Sequence, residues 1–236
     1  MWQGFDAAMV ISAVLERRQR ELAAEQAVRG LDAMKELELH GLIAEACHGA
    51  GFGVLREVAY PTLGEATRNS ARSRCDLVLT ALPGQSLIDA LATKREIAAR
   101  VGTLFAQLPA EKAAAEASDV ALVSAAECLW VEIKCVAQVA YTHGVPSPNR
   151  GYGSELVQAL RTDLDKLAAD PAIFEGVVVL VLFTQDERTA RNDLIVAANR
   201  CLDHASAIAS MSSRSFAISD RAGNACCTVA AFDVLK

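Results

Sequence analysis

The chain has no apolar run long enough to cross a bilayer. Its longest, GVVVLVLF at 176–183, falls far short of the roughly 20 residues a membrane helix needs. No basic segment precedes an apolar stretch at the N-terminus, so no signal peptide is expected. The seven cysteines contain no CxxC, and an odd count speaks against a disulfide framework or a zinc ribbon. Cys75, Cys128, Cys135, Cys226 and Cys227 lie in apolar runs, as reduced and buried cysteines do, so a cytoplasmic protein is expected. GxxxxGK[ST], GxSxG and HExxH are all missing, and the four histidines, His40, His48, His143 and His204, form no metal motif. GAGFG at 49–53 follows a helical pattern and precedes a strand pattern, the reverse of a dinucleotide fingerprint. A net charge of −6 excludes a broad basic surface but leaves room for a local basic cleft. The arginine clusters, Arg17, Arg18 and Arg20, then Arg68, Arg72 and Arg74, read as solvated faces. There is no internal repeat, low-complexity tract or linker.

What is present is a chain of 236 residues, 52% hydrophobic and 22% charged, enough for one sizeable core. Residues 5–29 are Ala-, Glu- and Arg-rich without proline and predict an N-terminal helix. A second helix is expected over 31–48, where Leu31, Met34, Leu39, Leu42, Ile43 and Ala46 approach the helical period. Strands are expected at 54–60 and 74–82, the latter closed by PGQ. An Ala- and Leu-rich helical insertion over 86–118 precedes a third strand at 128–136. A loop at 142–153, a helix at 155–169 capped by Ser154, and an all-apolar strand at 177–183 follow. A helix near 188–209 and closing strands complete a single α/β domain, residues 1–236, around a mixed sheet.

The third strand, CLWVEIKCV, poses the chemical question. Glu132 and Lys134 interrupt an otherwise apolar strand, which is costly unless they are paired or bound. Alternation places Trp130, Glu132 and Lys134 on one face, with Val131, Ile133 and Cys135 on the other. In the preceding strand Arg74, Asp76 and Val78 share a face opposite Cys75, Leu77 and Leu79. If the polar positions meet, Asp76, Glu132 and Lys134 converge. Two neighbouring carboxylates repel, and a hard divalent cation between them removes that cost.

Asp76 on one strand and Glu132-x-Lys134 on the next resemble the PD-(D/E)XK nuclease superfamily, with Cys75 standing where the family's nominal motif has proline. The resemblance extends to element order across about residues 31–183: helix, three strands, helix, strand. It implies a restriction-endonuclease-like three-layer α/β sandwich, here with an extra N-terminal helix and a helical insertion between core strands two and three. It implies magnesium- or manganese-dependent hydrolysis of nucleic-acid phosphodiesters, DNA rather than RNA. In that reading Asp76, Glu132 and the Ile133 carbonyl hold the metal and Lys134 stabilises the developing charge or assists the attacking water. The carboxylate that family members often carry on the first core helix corresponds to Glu38, or else Glu45.

Around this centre, Arg74 and Arg150 are candidates for phosphate contacts, Tyr152 for stacking on a base, and Gln158 for a contact to the site or the nucleic acid. Each also fits an ordinary surface role, and PSPNRGYG fits an ordinary solvent loop. A homodimer is left open. The rival expectations are a catalytically inactive scaffold of the same fold, serving as a binding or assembly module, and an unrelated α/β domain with another strand order.

Overall fold

The computed structural model describes residues 6–61, 73–88, 121–142 and 144–236. The polar connection after Pro61 and most of the helical insertion expected at 86–118 lie outside the described residues.

Helix α1 spans Ala7–Ala24 and is capped by Asp6, whose side chain accepts from Met9 N. It ends five residues earlier than the composition suggests, and Gln26 adopts φ 52°. Helix α2 spans Glu36–Gly49. The expected start at residue 31 is instead a short 3-10 turn, Leu31–Ala33. The helix begins later because the Glu38 carboxylate accepts from Lys35 N at 2.7 Å, which fixes the first turn there.

Strands β1 (Gly53–Ala59) and β2 (Arg74–Thr80) follow. Strands β3 (Ser86–Leu87) and β4 (Leu122–Val123) form a small parallel pair at the two ends of the insertion. Strand β5 is Leu129–Ala137. The loop expected next holds a hairpin, β6 (Val139–Thr142) and β7 (Val145–Pro148), with Gly144 at φ 81° between them. Two prolines in β7 masked it in the sequence, and a two-stranded ribbon tolerates them.

Helix α3 is Tyr152–Ala169, β8 is Glu175–Thr184, and helix α4 is Glu187–Asp203. Ser154, expected as the cap of α3, lies inside it and donates to the Gly151 carbonyl. Strands β9 (Ile208–Ala217) and β10 (Cys226–Val234) close the chain.

One six-stranded mixed sheet, in the order β1-β2-β5-β8-β10-β9, gathers these strands. All neighbours are antiparallel except β5 and β8. A parallel neighbour requires a crossover, and α3 supplies it. The four α-helices among the described residues cover both faces. Ile11, Leu15, Leu39 and Ile43 of α1 and α2 pack with Leu77, Ile133, Val179 and Val181. Leu160, Leu164, Leu194 and Ala197 of α3 and α4 pack with Trp130, Val178, Leu180 and Phe232. β8 is apolar from Val177 to Phe183 because both its faces are covered there. This is a three-layer α/β sandwich. No helix among the described residues is long and apolar enough to cross a membrane. None of the seven cysteines is disulfide-bonded, and all but Cys135 are buried.

Candidate cation site at the parting of two strands

β2 and β5 pair over only three residues, Leu77↔Val131, Val78↔Trp130 and Leu79↔Leu129. Continued, that register sets Asp76 opposite Glu132. At this point side chains take over from the backbone ladder. Asp76 Oδ2 accepts from Ile133 N at 2.7 Å. The Cys75 thiol donates to the carbonyls of Val131 and Leu77, each at 3.3 Å. Cys75 was expected on the face of Leu77 and Leu79, but it joins Val78 in the core beneath α3. The irregularity sits at Asp76, beside a β1 residue, Glu57, with φ 53°.

Glu132 is 2% exposed. Tyr60, stacked on Trp130, donates its hydroxyl to Glu132 Oε1 at 2.5 Å, and the Glu132 carboxyl also hydrogen-bonds that of Asp76. Burial, then the nearby Asp163 and Asp76 carboxylates, push the Glu132 carboxyl up to about 8. At neutral pH it therefore carries a proton, and any cation there must displace it.

The Lys134 ammonium sits among acids: 3.3 Å from Asp163 Oδ2, 3.8 Å from Asp76 Oδ2 and 3.8 Å from Glu36 Oε1. It also donates to the Ile133 carbonyl at 3.2 Å. Burial alone would lower its pKa, but Asp163, Asp76, Glu132 and Glu36 outweigh that and raise it. Lys134 is thus kept charged at a half-open position.

The structure brings Asp76, Glu132 and Lys134 together. It does not bring Glu38, which is exposed and spends its carboxylate on capping α2, nor Glu45, which is also exposed. The α2 carboxylate at the site is Glu36, one helical turn before the buried His40. Arg74 is exposed and donates to the Glu57 carbonyl at 2.6 Å, within the sheet's own edge. Arg150 is exposed at the turn before α3. Tyr152 does not stand open for stacking on a base: its hydroxyl donates to Asp193 Oδ2 at 2.8 Å, tying α3 to α4. Tyr152→Phe should therefore cost about 1 kcal/mol in a thermal melt and leave chemistry at the site unchanged. Gln158 is exposed, bonded to Thr162 and Arg161 of its own helix.

Gln158 does line an open groove of about 560 Å³ with Lys134, Cys135, Val136, Ser154 and Glu155. A second groove of about 340 Å³ reaches Lys35, Glu36 and Tyr141 and shares Cys135, Val136 and Glu155 with the first. Lys134 is the point at which solvent in the larger groove reaches the acids.

Three site residues, Glu36, Tyr60 and Asp163, escaped the sequence reading altogether. Tyr60 gave no signal. Asp163 did: Leu156, Leu160, Asp163 and Leu167 recur at four-, three- and four-residue steps, so an aspartate occupies the buried stripe of α3. No protein-family model, curated protein or solved structure matches the chain.

Asp76 and Glu132 offer two carboxylates to a cation, whereas Asp163 Oδ2 faces the Lys134 ammonium at 3.3 Å and does not close a three-ligand set with them; among the described residues the group that does is His40, Glu57 and Asp76. The Ile133 carbonyl, the third expected ligand, accepts from Lys134. Using it for a cation requires that lysine to turn away.

Proposed function

We propose that the chain is a metal-dependent nuclease with a restriction-endonuclease-like core of the PD-(D/E)XK type. The observation that carries this reading is the meeting of Asp76, Glu132 and Lys134 where β2 and β5 part. The chain order α2, β1, β2, β5, α3, β8 supports it, with three antiparallel strands followed by a parallel one across a helix.

A magnesium or manganese ion held by Asp76, Glu132 and the Ile133 carbonyl would supply charge neutralisation at a phosphate oxygen and a water of lowered pKa. The chain's own residues do the rest. Asp76 is held in place by Ile133 N, so its carboxylate is positioned beside Glu132 in advance. To hold a cation, Glu132 would have to release its proton to solvent. Lys134, kept charged by the surrounding acids, turns from the Ile133 carbonyl toward the groove, where it stabilises charge developing on the phosphate. The substrate is a nucleic-acid phosphodiester, and DNA is the first to test. Duplex, single-stranded and branched DNA should be offered with magnesium or manganese. Wild type should cut at least one, and Asp76→Asn should cut it on the order of 10²- to 10³-fold more slowly. Equal rates for the two proteins would sink the reading.

One observation favours a second reading, an inactive binding or assembly module of the same fold. Lys134 already bridges Asp163 and the Ile133 carbonyl, so the pocket is satisfied from within. In that case no DNA is cut by wild type under any cation.

A further inference from the structure

We propose that His40, Glu57 and Asp76 form a second cation site, on the α2 side of the sheet edge, that takes a divalent transition metal such as manganese, cobalt or zinc. One ligand atom from each residue lies within 4.8 Å of the other two. Ligands at 2.0–2.2 Å from one three- or four-coordinate ion stand roughly 3.3–3.8 Å apart, so closure needs a shift of up to about 1 Å. Glu57 is exposed on β1 and its side chain can make that shift.

The observation that points to a ligand is the state of His40. It is 4% exposed, and its Nε2 has no hydrogen-bond partner. Glu36 Oε1 lies 3.5 Å from Nε2, too long for a well-formed bond, although the contact is close enough to hold the Glu36 carboxyl below its ordinary range. On the other side, Nδ1 stands 3.9 Å from Asp76 Oδ1. A buried imidazole whose Nε2 makes only a long contact to one carboxylate and whose Nδ1 stands clear of the other has the arrangement of a ligand whose Nε2–H leans on an outer carboxylate while its Nδ1 lone pair faces a cation. Imidazole nitrogen favours cobalt and zinc over magnesium, while the two carboxylates also suit manganese. Asp76 then uses its two oxygens separately: Oδ1 toward His40, Oδ2 toward Ile133 N and Lys134.

The inference does not depend on the nuclease reading, since it concerns metal binding without nucleic acid. The test is pulsed electron paramagnetic resonance on the full chain loaded with manganese(II) alone. Wild type should show hyperfine coupling to an imidazole nitrogen. Glu57→Gln, an exposed substitution that leaves the fold intact, should need about tenfold or more manganese to reach the same signal. His40→Gln should abolish it, and Glu132→Gln should keep it. Absence of nitrogen coupling at saturating manganese overturns the proposal. So does an undiminished signal in Glu57→Gln.

Discussion

Glu132→Gln should stabilise the cation-free protein, and more so as the pH rises. The carboxyl titrates near 4.5 in an unfolded chain and near 8 in the folded one. Below 4.5 both states are protonated and the residue is neutral to stability. Between the two values the folded protein keeps a proton that the unfolded chain has lost, so wild-type stability falls as pH rises through that window and levels off above it. Glutamine cannot ionise, and its carbonyl oxygen still accepts from Tyr60. At pH 9 the variant should exceed wild type on the order of 4 kcal/mol, and at pH 4 the two should melt together. Denaturant unfolding across this range checks it. A difference that does not vary with pH would mean that Glu132 is ionised throughout. Magnesium should narrow the gap, because a bound cation stabilises only the protein that can offer it a carboxylate.

The second large effect concerns Lys134. Its removal leaves the buried Asp163 with Lys166 alone, at 2.6 Å. Lys134→Ala should lose about 2–4 kcal/mol, the cost of stranding part of a buried charge. Lys134→Ala with Asp163→Ala removes both partners and should recover most of that loss. The double variant therefore separates two roles that the single one confounds. Stability returns if the pair is the structural element, and catalysis does not return if the lysine serves the transition state.

Strand alternation was readable from CLWVEIKCV, because Trp130 and the apolar residues on either side of Glu132 fix which face each residue takes. The apolar run of β8 announced a strand covered on both sides. What failed depended on phase or on long-range contact. Glu38 was chosen on α2 because the helix was started at Leu31. The capping box at Lys35 uses Glu38 and leaves Glu36 and His40 to meet the sheet. Asp163 was hidden in plain pattern: an acid on an apolar stripe is visible, but its partner is 29 positions away at Lys134, and no local rule joins them. Cys75 changed faces because Asp76, not the backbone, bridges to β5. Tyr152 looked like a base-stacking ring because a sequence does not show Asp193 waiting for its hydroxyl.

The proposed activity has Asp76, Glu132 and Lys134 act on a phosphodiester with a divalent cation. It is tested most directly by cleavage of a labelled DNA in magnesium, comparing wild type with the Lys134→Ala/Asp163→Ala double variant at matched folded concentration. Wild type should release fragments that chelation of magnesium prevents. The double variant, folded and stable, should be slower by about 10²- to 10⁴-fold. Cleavage at the wild-type rate by the double variant would contradict the account, as would a folded, magnesium-loaded wild type that cuts no DNA.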